Sequence, residues 1–188
     1  MPGKVIIFSA PSGAGKSTLV KYLLQQDFNL EFSVSATSRP PRGNEKNGVE
    51  YHFLTLELFR QKITNQEFIE YEEVYPGMFY GTLKSEVEKN LAEGKNLIFD
   101  VDVVGGINVK RYFGDRALSI FVKPPSVEEL HKRLTLRGTD SPEVIEKRIN
   151  KADWELQFAP KFDVIIVNDN LEAALHETER IIAKFLAE

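Results

Sequence analysis

Four short apolar runs along the chain alternate with segments in which apolar residues recur every three or four positions. The runs are Val5–Phe8, Leu97–Phe99, Leu118–Val122 and Val164–Val167. Near-continuous apolar runs of this length are typical of strands that are buried on both faces of a parallel sheet. Because helical segments separate them, the pattern predicts an α/β fold with a three-layer α/β/α core and a mainly parallel sheet.

The helical segments carry recognisable start and stop signals. A capping-box pattern, Ser126 with Glu129, precedes one of them, and Ser141-Pro142 places a proline at the first position of another. We therefore predict helices over residues 16–25 and 83–93, after Ser126, after Pro142, and over residues 171–185.

Two stretches do not fit the alternation of strands and helices. Residues 33–82 contain short alternating segments, several glycines and prolines, and one helix starting near Thr55, which indicates an inserted mixed α+β subdomain. Residues 126–157 read as a charged helical hairpin that turns at residues 137–139. We predict a single domain over residues 1–188 with core segments 1–32, 83–125 and 158–188.

Composition narrows the class of protein. The chain has 188 residues, no cysteine and a formal net charge of −4. The missing cysteines exclude a disulfide scaffold, a thiolate zinc site and a cysteine nucleophile. The acidic balance argues against nucleic-acid binding. Since the first apolar run is too short for a signal peptide and no run is long enough to span a membrane, we expect a cytoplasmic protein without membrane partners.

The strongest motif directly follows the first strand. Residues 10–17 nearly match G-x-x-x-x-G-K-[ST], with alanine at the first position. Gly13 and Gly15 let backbone N–H groups turn toward phosphate oxygens, Lys16 would reach the β- and γ-phosphates of ATP, and the Ser17 hydroxyl would ligate Mg²⁺. The predicted ATP-binding loop comprises Ala10, Pro11, Ser12, Gly13, Ala14, Gly15, Lys16, Ser17 and Thr18.

The second apolar run ends in an aspartate, Asp100. A carboxylate at the carboxyl end of a parallel strand lies beside the crevice of such a loop, where it could hold Mg²⁺ directly or through a water. Many strand-end aspartates only cap a following helix, and the loop upstream is what favours the metal role.

Two arginines flank two prolines in the segment from Ser35 to Gly43. Because proline fixes the backbone, Arg39 and Arg42 could face one anion, and a pair of guanidinium forks suits a terminal phosphate. A solvated basic turn would have the same composition.

Several motifs in order along the whole chain resemble the guanylate kinase family of P-loop nucleoside monophosphate kinases. They read SAPSGAGKST, SATSRPPRG, NGVEYHF, EFIEY, FYGT, FDVD, RLTLRGTDS and VIIVND. The resemblance implies ATP-dependent phosphoryl transfer to GMP and dGMP in purine nucleotide metabolism, with ATP as co-substrate and Mg²⁺ as cofactor.

The resemblance also implies a GMP site within residues 33–82 and just after the second strand. The GMP phosphate would be bound by Arg39, Arg42, Tyr51 and Tyr80. The guanine base would be read by Ser35, Glu70, Thr82 and Asp102, with Asp100 also on the GMP side. The chemistry agrees, because a carboxylate accepts the N1–H and N2–H groups of guanine, whereas adenine would leave it facing an acceptor.

By the same resemblance, residues 126–157 form a mobile lid. Arg133, Arg137 and Arg148 would contact the ATP phosphates, and Asn168 would lie near the adenine. The groups implied in catalysis are Lys16, Arg39, Arg137 and Arg148. A lid is needed because water competes with GMP as phosphoryl acceptor.

Two alternatives share part of this pattern. A kinase for another nucleoside monophosphate would keep the ATP loop and lack the guanine set. A guanylate-kinase-like protein-interaction module would keep the acceptor surface and tends to lose the loop. The intact loop residues Gly13, Gly15, Lys16 and Ser17 favour the enzyme.

Overall fold

The computed structural model describes residues 2–138 and 140–188, which divide into two compact units. The first unit comprises the residues up to Lys4 together with Glu31–Leu97, and the second comprises Val5–Leu30 together with Ile98–Glu188. Thr139, at the predicted hairpin turn, lies outside the described residues. Within the described ranges, no helix is both long and apolar enough to cross a membrane.

The four predicted strands and one further strand, β2, form a five-stranded sheet in the order β2-β7-β1-β8-β9. Its members are β1 (Val5–Ser9), β2 (Leu30–Phe32), β7 (Asn96–Asp100), β8 (Ala117–Lys123) and β9 (Val164–Val167). β8 pairs in parallel with both β1 and β9, as the apolar runs predict. The expectation that all four predicted strands are buried on both faces is wrong for β9, because it lies at the sheet edge and leaves Ile165 and Val167 exposed.

Helices cover both faces of this sheet in the second unit. These helices are α1 (Lys16–Leu23), α4 (Val103–Phe113) and α7 (Leu171–Ala187). The unit also contains α5 (Val127–Arg137) and α6 (Pro142–Leu156), which pack on each other. Leu19 of α1 and Ile182 of α7 pack with Ile120 of β8, whereas Val103 of α4 packs with the neighbouring Phe121. Since successive strand residues point to opposite faces, α4 lies on the other side of the sheet, and the α/β class with three layers is confirmed.

Helix α4 is the α-helix, among those in the described residues, that the sequence pattern did not predict. Its first turns contain Gly105 and Gly106, and glycine lowers helix propensity by about 1 kcal/mol relative to alanine. The packing explains the second glycine, because a Cβ there would lie 2.6 Å from Ser9 Oγ and 3.2 Å from the Phe162 ring. The close approach of α4 to β1 therefore requires glycine.

The predicted hairpin consists of α5 and α6, which share a small apolar core of Leu130, Leu134, Ile145 and Ala152. Ser126 caps α5 by accepting a hydrogen bond from the Glu129 N–H at 3.1 Å. This arrangement places the carboxyl end of α5 and the start of α6 at one end of the hairpin.

The first unit is built on a four-stranded sheet in the order β4-β3-β6-β5. The elements are β3 (Ala36–Thr37), β4 (His52–Phe53), α2 (Leu56–Thr64), β5 (Phe68–Tyr75), β6 (Met78–Leu83) and α3 (Lys84–Ala92). Thr55 caps α2, where the sequence places the helix start, and Phe59 of α2 stacks on Phe68 at 4.3 Å between ring centroids. The antiparallel pair of β5 and β6 brings Glu70 opposite Thr82.

Candidate active site

The glycine-rich loop joins β1 to α1 in the second unit. Gly13 and Gly15 have φ of 93° and 97°, a region that L side chains rarely adopt. Gly15 is the residue before α1, and among the described residues no side chain caps this helix. The N–H groups of Lys16 and Ser17 in the first turn lack intrahelical partners, so the helix start can bind an anion.

A cavity of about 670 Å³ opens in front of this loop. Beyond the loop itself, its walls carry three acidic, two basic and two apolar residues. These are Asp100, Asp102, Glu155, Arg133, Arg137, Val101 and Leu134. A volume of this size suits a nucleotide, since small-molecule sites typically enclose about 300–1,000 Å³.

Lys16 is paired with Asp100 in this cavity through its Nζ and the Asp100 Oδ1. The Lys16 and Asp100 side chains are 18% and 24% exposed, so the pair is partly shielded from solvent. The structure thus brings together the two charged residues that the sequence assigned to the loop and to the end of the second predicted strand.

A magnesium ion would have to find hard oxygen ligands here. Within the described residues, no group of three or more histidine, aspartate or glutamate side chains could hold a metal by itself. Mg²⁺ usually binds to one or two protein groups and takes its other ligands from waters and substrate phosphates. The Ser17 hydroxyl and the Asp100 carboxylate, both on the cavity wall, fit that requirement.

The predicted lid arginines occupy different positions around the loop. Arg148 of α6 donates a hydrogen bond to Ser12 Oγ at 2.5 Å and pairs with Asp140 at 3.2 Å. Arg133 of α5 lines the cavity and is held by Glu129 at 3.2 Å. Arg137 is exposed on the same cavity wall.

Asn168 follows β9 and is only 4% exposed. Its side-chain Nδ2 donates to the backbone carbonyl of Ala14 at 2.8 Å. The backbone carbonyl of Asn168 accepts from Arg133 Nη1 at 3.0 Å. The structure places this residue directly against the glycine-rich loop. Its predicted position near adenine stays a prediction.

Glu155 is a cavity residue that the sequence did not single out. It lies on α6, is 6% exposed, and its Oε1 is 3.7 Å from Lys151 Nζ. Burial raises the pKa of Glu155, and the charges of Lys151 and Lys16 oppose that rise. No sequence motif marks it, because an acidic residue on a charged helix looks like surface.

Three of the four predicted phosphate-binding residues of the acceptor, Arg39, Tyr51 and Tyr80, lie together in the first unit. Arg39, which is 7% exposed, donates from Nε to the Tyr80 hydroxyl at 3.1 Å. Its guanidinium carbon lies 4.9 Å from the centroid of the Tyr51 ring, which meets the Tyr80 ring edge-on. Arg42 is exposed in the same loop.

Glu45 organises these residues although the sequence analysis did not select it. Its two carboxylate oxygens accept from Arg39 Nη1 at 2.6 Å and Nη2 at 2.8 Å, and one also accepts from the Arg42 N–H at 2.7 Å. The hydrogen bonds from Arg39, with the Arg42 N–H, lower the pKa of Glu45 to about 2, and the Glu45 carboxylate raises the pKa of Arg39. The Arg-x-x-Glu spacing of Arg42 and Glu45 is the signal that could have identified it.

The predicted guanine-reading residues are divided between the two units. In the first, the Thr82 hydroxyl, buried at 1% exposure, donates to Glu70 Oε1 at 2.6 Å. Ser35 lies half-buried just before β3. In the second, Asp102 lines the cavity and also caps α4, accepting from the Gly105 N–H at 2.7 Å.

These features define a class of protein. An α/β/α core with a phosphate-binding loop, a lysine–aspartate pair in the loop cavity and arginine-bearing helices beside it is the architecture of P-loop phosphotransferases.

Comparison with known proteins narrows the class. The model of the guanylate kinase family matches residues 2–185. The chain is 67% identical over 186 residues to the guanylate kinase of Bacteroides thetaiotaomicron, covering 99% of this chain and 91% of that protein. It is 57% identical over 185 residues to the guanylate kinase of Porphyromonas gingivalis, covering 98% of each. The chain therefore belongs to the guanylate kinase family.

A solved structure agrees with this assignment. The fold is similar to that of guanylate kinase from Anaplasma phagocytophilum, with a TM-score of 0.71 at 28% sequence identity, over 100% of this chain and 88% of that one. The resemblance inferred from the motifs is thereby confirmed for the family and for the fold.

Proposed function

We propose that this chain transfers the γ-phosphoryl group of ATP to GMP or dGMP, giving ADP and GDP or dGDP. The observation that carries the proposal is that one chain holds both a phosphate-binding loop with its Lys16–Asp100 pair and a separate cluster of Arg39, Tyr51 and Tyr80. The loop suits the donor nucleotide, and the cluster suits the phosphate of the acceptor.

The donor half of the reaction belongs to the second unit. Residues 10–18 would surround the ATP phosphates with backbone N–H groups, and Lys16 would neutralise the β- and γ-phosphates. Ser17 and Asp100 would hold Mg²⁺, directly or through a water at Asp100, and the ion would supply charge neutralisation at the phosphates. Arg133, Arg137, Arg148 and Asn168 complete the proposed ATP site.

The acceptor half would begin with the phosphate of GMP. Arg39 and Arg42 supply positive charge, and the hydroxyls of Tyr51 and Tyr80 supply neutral donors. Within the part of the chain that the structure describes, Arg39 donates four hydrogen bonds, one from Nε, two from Nη1 and one from Nη2. Since a guanidinium has five N–H donors, one remains for a phosphate even while Glu45 is bound.

The proposed site distinguishes guanine from adenine by the positions of their hydrogen-bond donors and acceptors. Glu70 accepts a hydrogen bond from Thr82, and a carboxylate is the type of acceptor that the N1–H and N2–H groups of guanine require. Adenine would present an acceptor at N1 to this carboxylate, and the hydrogen bond that guanine makes there would be lost at a cost of about 1–3 kcal/mol, or more for a charged group. Ser35, Asp102 and Asp100 are proposed to complete the guanine site.

The reaction needs no nucleophilic side chain. An oxygen of the GMP phosphate attacks the γ-phosphorus of ATP, a new P–O bond forms, and the bond from the γ-phosphorus to the β-bridging oxygen breaks to release ADP. Lys16, Arg39, Arg137 and Arg148 would stabilise the charge on the phosphoryl oxygens. The hairpin of α5 and α6, proposed as the lid, would exclude water during transfer.

The test is ADP release from MgATP with GMP, dGMP, AMP, UMP and CMP in turn, with a Lys16→Met variant to measure background hydrolysis. Turnover with GMP and dGMP but little with the others is the expected result. Comparable turnover with AMP or UMP would refute guanine recognition and leave a kinase for another monophosphate. No turnover with any acceptor would favour a protein-interaction module.

A further inference from the structure

Asn168 makes the one side-chain hydrogen bond, among those the structure describes, that reaches the backbone of the glycine-rich loop from another element. Its Nδ2 donates to the carbonyl of Ala14 at 2.8 Å, across a sequence separation of 154 residues. The bond is buried, and Asn168 is 4% exposed. Because the carbonyl can only accept, the orientation of the Asn168 amide is fixed with its nitrogen toward the loop.

The contact with the loop is close enough to exclude side chains. A Cβ built at Gly15 would lie 2.1 Å from Asn168 Nδ2. Asn168 thus occupies the space beside Gly15 and fixes the orientation of the Ala14–Gly15 peptide. That peptide comes immediately before the N–H groups of Lys16 and Ser17, which must point toward phosphate oxygens.

Asn168 is also connected to the α5–α6 hairpin. Its backbone carbonyl accepts a hydrogen bond from Arg133 Nη1 at 3.0 Å, and Glu129 holds the same arginine at 3.2 Å through Nε. A continuous chain of hydrogen bonds therefore runs from α5 through Arg133 and Asn168 to Ala14. The backbone of Asn168 is thus bonded to α5, and its side chain is bonded to the loop.

We propose that Asn168 is a positioning residue for the triphosphate: its side chain holds the glycine-rich loop in the shape that binds phosphates. This inference rests on the proposed function only in identifying the ligand as the triphosphate of ATP. It differs from a contact with adenine, because the effect is independent of the base.

Three ligands separate the two roles: MgATP, MgGTP and magnesium tripolyphosphate, which has no base. Dissociation constants are measured by calorimetry on the full-length protein for wild type, Asn168→Ala and Asn168→Asp. Loss of the hydrogen bond leaves the Ala14 carbonyl buried without its donor. We expect all three ligands to bind roughly tenfold more weakly to Asn168→Ala, a change of about 1.4 kcal/mol. Asn168→Asp should be weaker still, because a carboxylate oxygen would face the Ala14 carbonyl, and neither group can donate.

Asn170→Ala is the matched control. Asn170 caps α7 by accepting from the Ala173 N–H at 3.0 Å, so its loss lowers stability without touching the loop. We expect a lower melting temperature for Asn170→Ala with unchanged dissociation constants.

Two outcomes would overturn the proposal. If Asn168→Ala weakens MgATP but leaves magnesium tripolyphosphate and MgGTP unchanged, the residue contacts the adenine and does not position the loop. If all three dissociation constants are unchanged while the melting temperature falls, its role is in stability alone. Because binding is measured without turnover, a failure of GMP phosphorylation would refute the proposed function and leave this test valid.

Discussion

Replacing Glu70 by glutamine tests guanine recognition most directly. The change keeps the shape of a half-buried side chain and the oxygen that accepts from Thr82 at 2.6 Å, and it replaces the other carboxylate oxygen with an NH₂ group. One acceptor for guanine is lost, and a donor then faces the guanine donors. A hydrogen bond to a charged group contributes about 1.5–3 kcal/mol.

The expected effect follows from that figure. We take about 3 kcal/mol, which lowers kcat/KM for GMP roughly a hundredfold. The loss should appear with GMP and not in the affinity for MgATP, because the Glu70–Thr82 pair belongs to the first unit and the glycine-rich loop to the second. Coupled measurement of ADP release at saturating MgATP gives kcat and KM for each acceptor.

IMP makes the test specific, since it retains N1–H and lacks the 2-amino group. Wild type should prefer GMP to IMP, and Glu70→Gln should lose most of that preference because the acceptor for the 2-amino group has gone. Glu57→Gln, at an exposed position at the start of α2, removes the same charge and should leave kcat/KM for GMP and for IMP unchanged. An undiminished preference for GMP in Glu70→Gln would refute the assignment of Glu70 to the base.

Three further changes test other parts of the structure. Asp100→Asn should shift the Mg²⁺ dependence of ADP release to concentrations at least about tenfold higher, and an unchanged dependence would remove Asp100 from the metal site. Glu155→Gln should raise the melting temperature at pH 8, because burial raises the pKa of Glu155 and the charged carboxylate therefore destabilises the fold. This gain should shrink as pH falls to 4.5. A gain that does not vary with pH would contradict this reasoning. Glu45→Gln should be less stable than wild type above pH 4.5, because Arg39 lowers the pKa of Glu45. The difference in the free energy of unfolding, measured with urea, should narrow as pH falls toward about 2. A constant difference would argue against the ion pair.

The elements predicted from the sequence are those whose local pattern agrees with their packing. The runs at β1, β7, β8 and β9 are strands because each contributes apolar side chains to the core. Helix α4 escaped prediction because Gly106 is chosen by its contact with Ser9 and Phe162, a constraint that comes from 97 and 56 positions away along the chain. The exposure of β9 depends on its place at the sheet edge, which no local pattern encodes.

In the candidate site, too, some residues could be predicted from their local sequence and others depend on distant contacts. Motif residues such as Lys16 and Arg39 carry a sequence signal because their chemistry requires a fixed local context. Glu155 and the loop contact of Asn168 depend on partners brought together by the fold, so their residue type alone is uninformative. Glu45 is intermediate, since it lies close in sequence to Arg39 but in a loop where its direction depends on the turn between Arg42 and Glu45.

Lys16 and Arg39, two of the cations proposed to meet phosphate, share one feature that a motif does not reveal. Lys16 is paired with Asp100, and Arg39 with Glu45, each inside its own unit. A partly buried cation without a partner is costly, and a flexible one loses side-chain entropy when it binds. The carboxylate offsets the first cost and reduces the second by fixing the cation in advance. An incoming phosphate must then share the cation with that carboxylate or displace it. If Lys16 and Arg39 bind phosphate as proposed, the strength of each existing ion pair would influence phosphate affinity as well as the cation itself.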